Sequence, residues 1–551
     1  MSGMLDIGTR ALKANQVAIQ TAGNNIANVN TPGYSRQSVV IQNVAGQFSG
    51  TGYYGKGVEV LTVQRNHSEF LTRQAAQSGA IAAADTTRMN QLKQLEDIFE
   101  GGPSAIGASV SNMLNAFSDV ASAPTDLTAR TVALSLADEM TGRFRTASSR
   151  LNDLKQGANS QLKDALSAVN NLTGRIAAAN EVIARAQGSG QSPIDLLDQR
   201  DQLISQLNQY IQTSSVAADD GTVSVFVAGS QPLVLGKDAR PLSLSTDEFG
   251  DPAKTKLILK SGADSVTIEE ATLGGGQMAG LLRFQNTDLV DAGNLLGRMA
   301  LAIGTVVNDQ HRLGYDLKGQ AGGDLLTLNA LPNALRSATN TGSATLTLAL
   351  QTSPSTGATA LAASNYELNF SSTSSGTITR LSDGQVSSFS SVTPLAFDGL
   401  SITVSAGTLA SGDRYLVTPF STAATDIKTA FSSPTALAMA DTALYTGSNS
   451  GNAKAMMALR DLALFDGAAA ADGYAGAMAA IGVKVQGATY AASVSQSIAN
   501  NIEKDRSSVA GVNLDEEAAK LLQYQQSYQA SAKMLQISQS IFDTLLQTIS
   551  R

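Results

Sequence analysis

The chain has 551 residues, 43% hydrophobic and 15% charged, with a formal charge of −8 and neither cysteine nor tryptophan. That length predicts roughly three or four domains, and the missing cysteine excludes thiolate catalysis, disulfides and Cys-ligated metals. The two histidines, His67 and His311, are too few for a His-rich metal centre, and the absence of a Lys/Arg cluster argues against a nucleic-acid partner. No run of about 18 uninterrupted apolar residues predicts a membrane span.

Residues 2–30 read as a helix, with Leu5, Leu12, Ile19 and Ile26 recurring every seventh position. A seven-residue repeat makes a narrow apolar seam along one side of a helix. Asn30-Thr31-Pro32-Gly33 stops the helix, because proline disfavours helical geometry in the residue before it. The start, MSGMLDIGTRALKANQ, lacks the basic tip and apolar run of a secretory signal, which alone predicts a cytoplasmic resident. Residues 34–65 look extended and glycine-punctuated. Residues 68–211 return to helical spacing, with Leu151, Leu154, Ala158, Leu162, Ala165, Val169, Leu172, Ile176, Ala179 and Ile183 on one face. Ser192-Pro193 reads as a cap and first helical residue opening a further helix.

Residues 216–272 alternate with period two and predict a small β unit. Helix is expected again over 276–312. Residues 319–440 are rich in Ser, Thr, Ala and Gly with short alternating runs, which predicts a sandwich or barrel-like insert. From about 452 helix runs, with one break, to the end. Asn513 is its N-cap, with Glu516 three residues on as in a capping box. Leu514, Leu521, Tyr528, Leu535, Phe542 and Ile549 then repeat at sevens.

The fold class is therefore α+β and multidomain: a coiled-coil-like pair of terminal helices, a long-helix body and all-β inserts. The expected domains are 1–45 with 512–551, the helical body 46–215 with 275–318 and 441–511, a β unit 216–274, and an outer β insert 319–440. Two long terminal helices have little of their own to pack against. They become stable where many copies lie side by side, although docking on the chain's own core is the simpler alternative.

Catalytic candidates are weak. Gly50–Lys56 has P-loop spacing, but Gly57 replaces the magnesium-binding hydroxyl and strand follows instead of helix, so a hairpin loop is the better reading. Gly274-Gly275-Gly276 reads as a bend before a helix. Asp195, Asp198 and Asp201 read as a solvated helix face, and His67 and His311 as surface or helix-end residues. Asp515-Glu516-Glu517 suits the positive end of a helix dipole. No catalytic residue, metal ligand or cofactor site is expected, and none of these features argues for an enzyme.

Ala22–Gln37, AGNNIANVNTPGYSRQ, is more specific and closely resembles the N-terminal signature of bacterial flagellar axial proteins. Asp195–Leu207, Asn308–Asp324 and Gly511–Leu535 narrow the likeness to the flagellar hook-associated protein 1 family. One departure is Leu325-Leu326, where relatives tend to carry aromatic residues; altered local packing is expected there.

The resemblance implies a structural subunit of the flagellum at the distal end of the hook, joining hook to filament. Implied partners are further copies in a ring or helical layer, the hook protein below, a second junction protein above, and an export chaperone on the C-terminal helix. It also implies export through the flagellar type III apparatus without a cleaved signal, so the cytoplasmic reading gives way to an extracellular one. The two heptad seams would carry assembly. The turn of Asn24, Asn25, Asn28, Asn30, Pro32, Gly33, Tyr34 and Arg36 would set the angle from inner helix to outer domain, its asparagines bonding backbone. The rivals are a hook or rod subunit of the same group, a flagellum-associated enzyme such as a wall hydrolase, and a surface adhesin.

Overall fold

The computed structural model describes residues 2–49, 52–189, 193–262, 264–351 and 358–549. Its body is a set of long helices. After α1 (Ser2–Ala27) come α2 (Glu69–Glu96), α3 (Ile106–Ser122), α4 (Leu127–Gly188) and α5 (Ile194–Tyr210). Ser68 caps α2 by accepting from the Leu71 amide, and Asp126 caps α4 by accepting from Thr128 at 2.7 Å. At about 1.5 Å per residue, α4 runs for roughly 90 Å. Its residues Leu151, Ala158, Leu162, Ala165, Val169, Leu172, Ile176 and Ile183 are buried at the spacing expected of one apolar face.

The β unit follows as two antiparallel sheets. β5 (Thr213–Ala217), β6 (Val223–Val227), β7 (Gln231–Leu235) and β8 (Asp238–Ala239) form one; β9 (Leu242–Ser245), β10 (Lys256–Ser261) and β11 (Asp264–Ile268) form the other. Gly274-Gly275-Gly276 then bends the chain into α6 (Gln277–Arg283). Gly276 sits at φ +92°, and a Cβ there would lie 2.6 Å from the Ile211 backbone, so only glycine fits. A π-turn, Phe284–Asp288, joins α6 to α7 (Leu289–Arg312). Asp288, buried in that turn, accepts two bonds from Arg88 at 2.8 and 3.0 Å. Gln277–Arg312 is apolar enough by composition to cross a bilayer, yet 72% of its most apolar window is buried inside the fold, the behaviour of a core helix.

The outer insert is a two-sheet sandwich. β12 (Leu326–Thr327) leads to β13 (Leu335–Arg336), β14 (Thr345–Leu350), β15 (Tyr366–Phe370), β16 (Gly376–Arg380), β17 (Val386–Phe389), β18 (Leu395–Phe397), β19 (Leu400–Ala406) and β20 (Arg414–Val417). One sheet has the order β13-β20-β15-β16-β17 and the other β14-β19-β18. Alternate residues Leu346, Leu348, Tyr366, Leu368, Phe370, Ile378, Leu400, Ile402 and Tyr415 fill its core. The chain returns through α8 (Ala423–Asp426) and β21 (Lys428–Thr429), which pairs with β12. It then forms α9 (Gly451–Ala458), α10 (Ala470–Ala510) and α11 (Leu514–Ile549).

Several expectations need correction. The C-terminal helical region is interrupted twice, before α10 and again at residues 511–513. Pro193 is the cap of α5 rather than its first helical residue, and Ser192 lies outside the described residues. His311 does end α7 but is fully buried: Nδ1 donates to Gly323 O at 2.7 Å and Nε2 accepts from Ala438 N at 2.9 Å. Leu325 and Leu326, the departure from the resemblance, are fully buried. Residues 50 and 51 of the P-loop-like stretch lie outside the described residues; the flanking β2 (Gln47–Ser49) and β3 (Gly52–Tyr54) pair antiparallel. Between them and the body, β1 (Gln37–Asn43) pairs with β4 (Val58–Arg65), so this ribbon spans the expected boundary at residue 45.

Candidate assembly interface

The two terminal helices pack on each other as an antiparallel stalk. Gly8 of α1 lies against Leu535 of α11, Asn15 donates to Ser531 at 3.5 Å, and Asn25 meets Glu517. The buried positions of α1 are small or short: Gly8, Ala14, Ala18, Thr21, Ala22 and Asn25. On α11 Glu517 and Ser538 are buried, with Leu521, Tyr524, Ser527, Ser531 and Leu535 half-buried between them. A Cβ on Gly8 would stand 2.9 Å from Leu535 Cγ, so the absent side chain sets how closely the helices approach.

The large heptad residues flank this contact. Leu5, Leu12, Ile19 and Ile26 are half-buried, as are Leu521 and Leu535, whereas Leu514, Tyr528, Phe542 and Ile549 are exposed, Ile549 at 80%. α11 also exposes Leu522, Met534, Ile537, Ile541, Leu545 and Leu546. So much apolar surface on one helix of a single chain marks a face meant to be covered.

At the inner end of the stalk a polar clamp ties both helices to the ribbon. Asn25 is 1% exposed, and its side chain uses all four bonding positions. Nδ2 donates to Gln37 O and to Glu517 Oε2, both at 2.9 Å. Oδ1 accepts from the Tyr34 hydroxyl at 2.8 Å and from Gln37 N at 2.9 Å. Glu517 is 2% exposed and also accepts from Lys520 at 2.8 Å. Burial, with Asp198, Asp195 and Glu517 nearby, pushes the Tyr34 hydroxyl up to about 12, so it stays a donor. Asn28 donates to Asn24 O at 3.0 Å and Thr31 to Asn28 Oδ1 at 3.1 Å, closing the helix end. Gly33 takes φ +83° against Gln202, while Asn30 and Pro32 are exposed on the turn.

Arg36 completes the join. Its amide donates to Ala510 O at 2.8 Å, and its guanidinium pairs with Glu516 at 3.2 Å. Asn513 caps α11 by accepting from Asp515 N at 3.0 Å, but the Glu516 carboxylate turns to Arg36 instead of closing a capping box. The acidic run therefore does more than oppose a helix dipole: two of its three carboxylates hold the N-terminal segment.

The α5 aspartates are the second correction. Asp198 is buried, accepting from Ser35 N at 2.9 Å and from Arg65 at 3.0 Å, and Arg65 also binds Asp201 at 2.6 Å. Gln37 reaches Asp195 at 3.4 Å. Asp198 and Asp201 thus seat the signature turn on the body, while Asp195 stays exposed as a solvated face requires. Beside it opens a cleft of about 670 Å³, lined in part by Arg65, His67, Arg200, Asp201, Glu503 and Arg506. Arg506 pairs with Glu503 at 2.7 Å and lowers that carboxyl's pKa, while the buried Arg200 donates to the neutral Gly221 O at 2.6 Å. Burial beside Arg65 keeps His67 below its ordinary range. Among the described residues no group of three or more His, Cys, Asp or Glu side chains is placed to hold a metal.

Comparison with known proteins places these parts. The helical-domain model of the flagellar hook-associated protein FlgK matches residues 92–326, and a flagellar hook-associated protein 1 D2-like domain matches 335–419. A flagella basal body rod protein model matches 5–34, and the C-terminal model of flagellar basal body rod FlgEFG proteins matches 506–548. Flagellar hook-associated protein 1 of Escherichia coli K12 is 30% identical over 556 residues, covering 99% of this chain and 100% of that protein. Its counterpart in Salmonella typhimurium LT2 is 30% identical over 558 residues with the same coverage, and that of Bacillus subtilis 168 is 24% identical over 577 residues, covering 98% and 97%. The fold is similar to that of the flagellar hook junction protein FlgK from Burkholderia pseudomallei, with a TM-score of 0.72 at 22% identity, covering 80% of this chain and all of that one.

Proposed function

Because the chain belongs to the flagellar hook-associated protein 1 family, we propose that it is a structural subunit assembling at the distal end of the hook and joining hook to filament. The observation that carries this reading is the α11 stalk helix, which keeps a row of large apolar side chains in solvent from Leu522 to Ile549. Copies packed side by side would cover it. Leu5, Leu12, Ile19, Ile26, Leu514, Leu521, Tyr528, Leu535, Phe542 and Ile549 are the proposed assembly residues.

In this reading the stalk forms an inner tube, the helical body surrounds it, and the sandwich projects outward. The task is mechanical rather than catalytic. The hook bends and the filament stays stiff, so the junction accommodates a mismatch between two lattices. The chain leaves the cell unfolded through the flagellar export apparatus, with a chaperone on α11 beforehand. It then meets the hook protein below and a second junction protein above. An absence of cysteine suits that route, since no thiol can cross-link in transit or outside.

Deletion of the gene tests the proposal. Electron microscopy should show complete hooks without filaments, with flagellin lost to the medium. Truncated or missing hooks would favour a hook or rod subunit, and normal filaments would refute any junction role.

A further inference from the structure

Among the described residues, two of the exposed apolar surfaces outside the stalk are relevant to assembly. The first is the β2–β3 hairpin, where Phe48 and Tyr53 are 64% and 79% exposed and their rings stand 5.9 Å apart. The second is the outer face of α10. Val483, Tyr490, Val494 and Ile498 project there, Tyr490 at 73% exposure, and from Val485 to Ile502 the helix carries no charged residue. A helix face turned to water ordinarily carries charge. One with neither charge nor cover is a contact surface.

We infer that Phe48 of β2 and Tyr53 of β3 in one copy dock on the Val483–Ile498 face of α10 in a second copy, as a head-to-tail contact between neighbouring subunits. This rests on the reading of the chain as an assembled subunit and names a contact beyond the stalk. The two surfaces differ, a knob and a helix face, so the contact is heterologous and propagates into a ring or helix rather than closing a dimer.

Their positions fit that use. The ribbon lies along α1, with Gly57 beside Ile7, about 30 Å along the helix from Ala27. Tyr490 stands about 30 Å along α10 from Ala510, and the clamp ties Arg36 to Ala510 between them. Measured along the two helices, about 60 Å separates knob and face within one copy.

Area identifies the occupant. Three exposed rings offer on the order of 100–150 Å² each, and the aliphatic side chains bring the covered surface to roughly 600–800 Å². A stable free complex needs about 1,200 Å² or more. The contact is too small to recruit a soluble partner alone and large enough to reinforce copies already gathered by their stalks. The knob is also continuous with the stalk, because the ribbon that carries it packs on α1.

The cysteine-free sequence makes the test direct. Tyr53→Cys and Val494→Cys are introduced together into the full chain in cells lacking the native protein, and hook tips are labelled before mild oxidation. The expected result is a ladder of dimers, trimers and larger species from the flagellar fraction, with most of the monomer lost. Each single variant stays monomeric. A flanking pair, Gly55→Cys with Ser497→Cys, leaves the apolar residues in place and gives the same ladder. Labelled tips without a ladder from either pair overturn the contact and leave the junction role intact. Dimers from Val494→Cys alone overturn it in favour of α10 packing on α10. Absence of the wild-type chain from hook tips overturns the junction role and the contact together.

Discussion

Asn25→Ala should unlatch the stalk from the body without unfolding the body. The substitution removes bonds to four groups in a site that is 1% exposed: the Gln37 amide, the Gln37 carbonyl, the Tyr34 hydroxyl and a Glu517 oxygen. Each buried polar group left unpaired costs about 1–3 kcal/mol. Glu517 retains Lys520 and water fills part of the space, so the net loss should be about 3–4 kcal/mol. That corresponds to opening about a hundred- to a thousand-fold more often. Hydrogen exchange read by mass spectrometry should show peptides from 2–49 and 511–549 exchanging faster by that factor, while peptides from α3 and α4 keep their protection. Asn24→Ala is the control, because Asn24 is exposed: its bonds to Tyr34 and Gln37 are long, 3.4 and 3.5 Å, and the 3.0 Å bond it accepts from Asn28 is itself exposed. Unchanged exchange in Asn25→Ala, or stalk and body opening in step, would refute the latch.

Leu521→Asp and Leu535→Asp place a charge on the half-buried stalk seam and should abolish incorporation at the hook tip, with the melting of the body unchanged by circular dichroism; normal incorporation would remove the seam from the account. Gly276→Ala should cost about 3 kcal/mol or more and lower Tm by several degrees, since its Cβ meets the Ile211 backbone at φ +92°, whereas Gly3→Ala, with open space around it, should be neutral in the same scan. His311 gives a pH dependence. Burial holds its folded pKa below the ordinary 6.5, so the unfolded chain binds the extra proton as pH falls. Its contribution is complete above about pH 6.5 and declines on acidification through the folded pKa, by at most about 1.4 kcal/mol per pH unit. Urea unfolding between pH 7.5 and 5.5 should show a shallower decline in His311→Gln than in the native chain.

The helices, the β inserts and their order were legible because apolar spacing reports which side of an element is covered. The partner of each covered side was not. A heptad of large residues points to Leu12 and Ile19, yet the closest approach of the stalk runs along Gly8, Ala14, Ala18 and Ala22, whose small size lets backbones come near. Asp198 looked solvated because its partners, Ser35 and Arg65, stand 163 and 133 residues away. Asn25 was visible within the signature turn, but Glu517, 492 residues distant, could not be matched to it by local spacing. His311 was misread for the same reason: Ala438, which donates to it, belongs to the return from the sandwich.

The bond from Asn25 to Glu517 makes the chain a closed circuit of nearly its whole length. Contacts so far apart in sequence carry a large loop-closure entropy, as does the packing of α10 on α2 in the body, whereas the sandwich draws on neighbours closer along the chain. On the proposed export route the chain arrives one end at a time, so its two termini cannot join until delivery is finished. On that route the clamp reports on both termini at once, because a chain lacking either end keeps only one of the two helices that the Asn25–Glu517 bond joins.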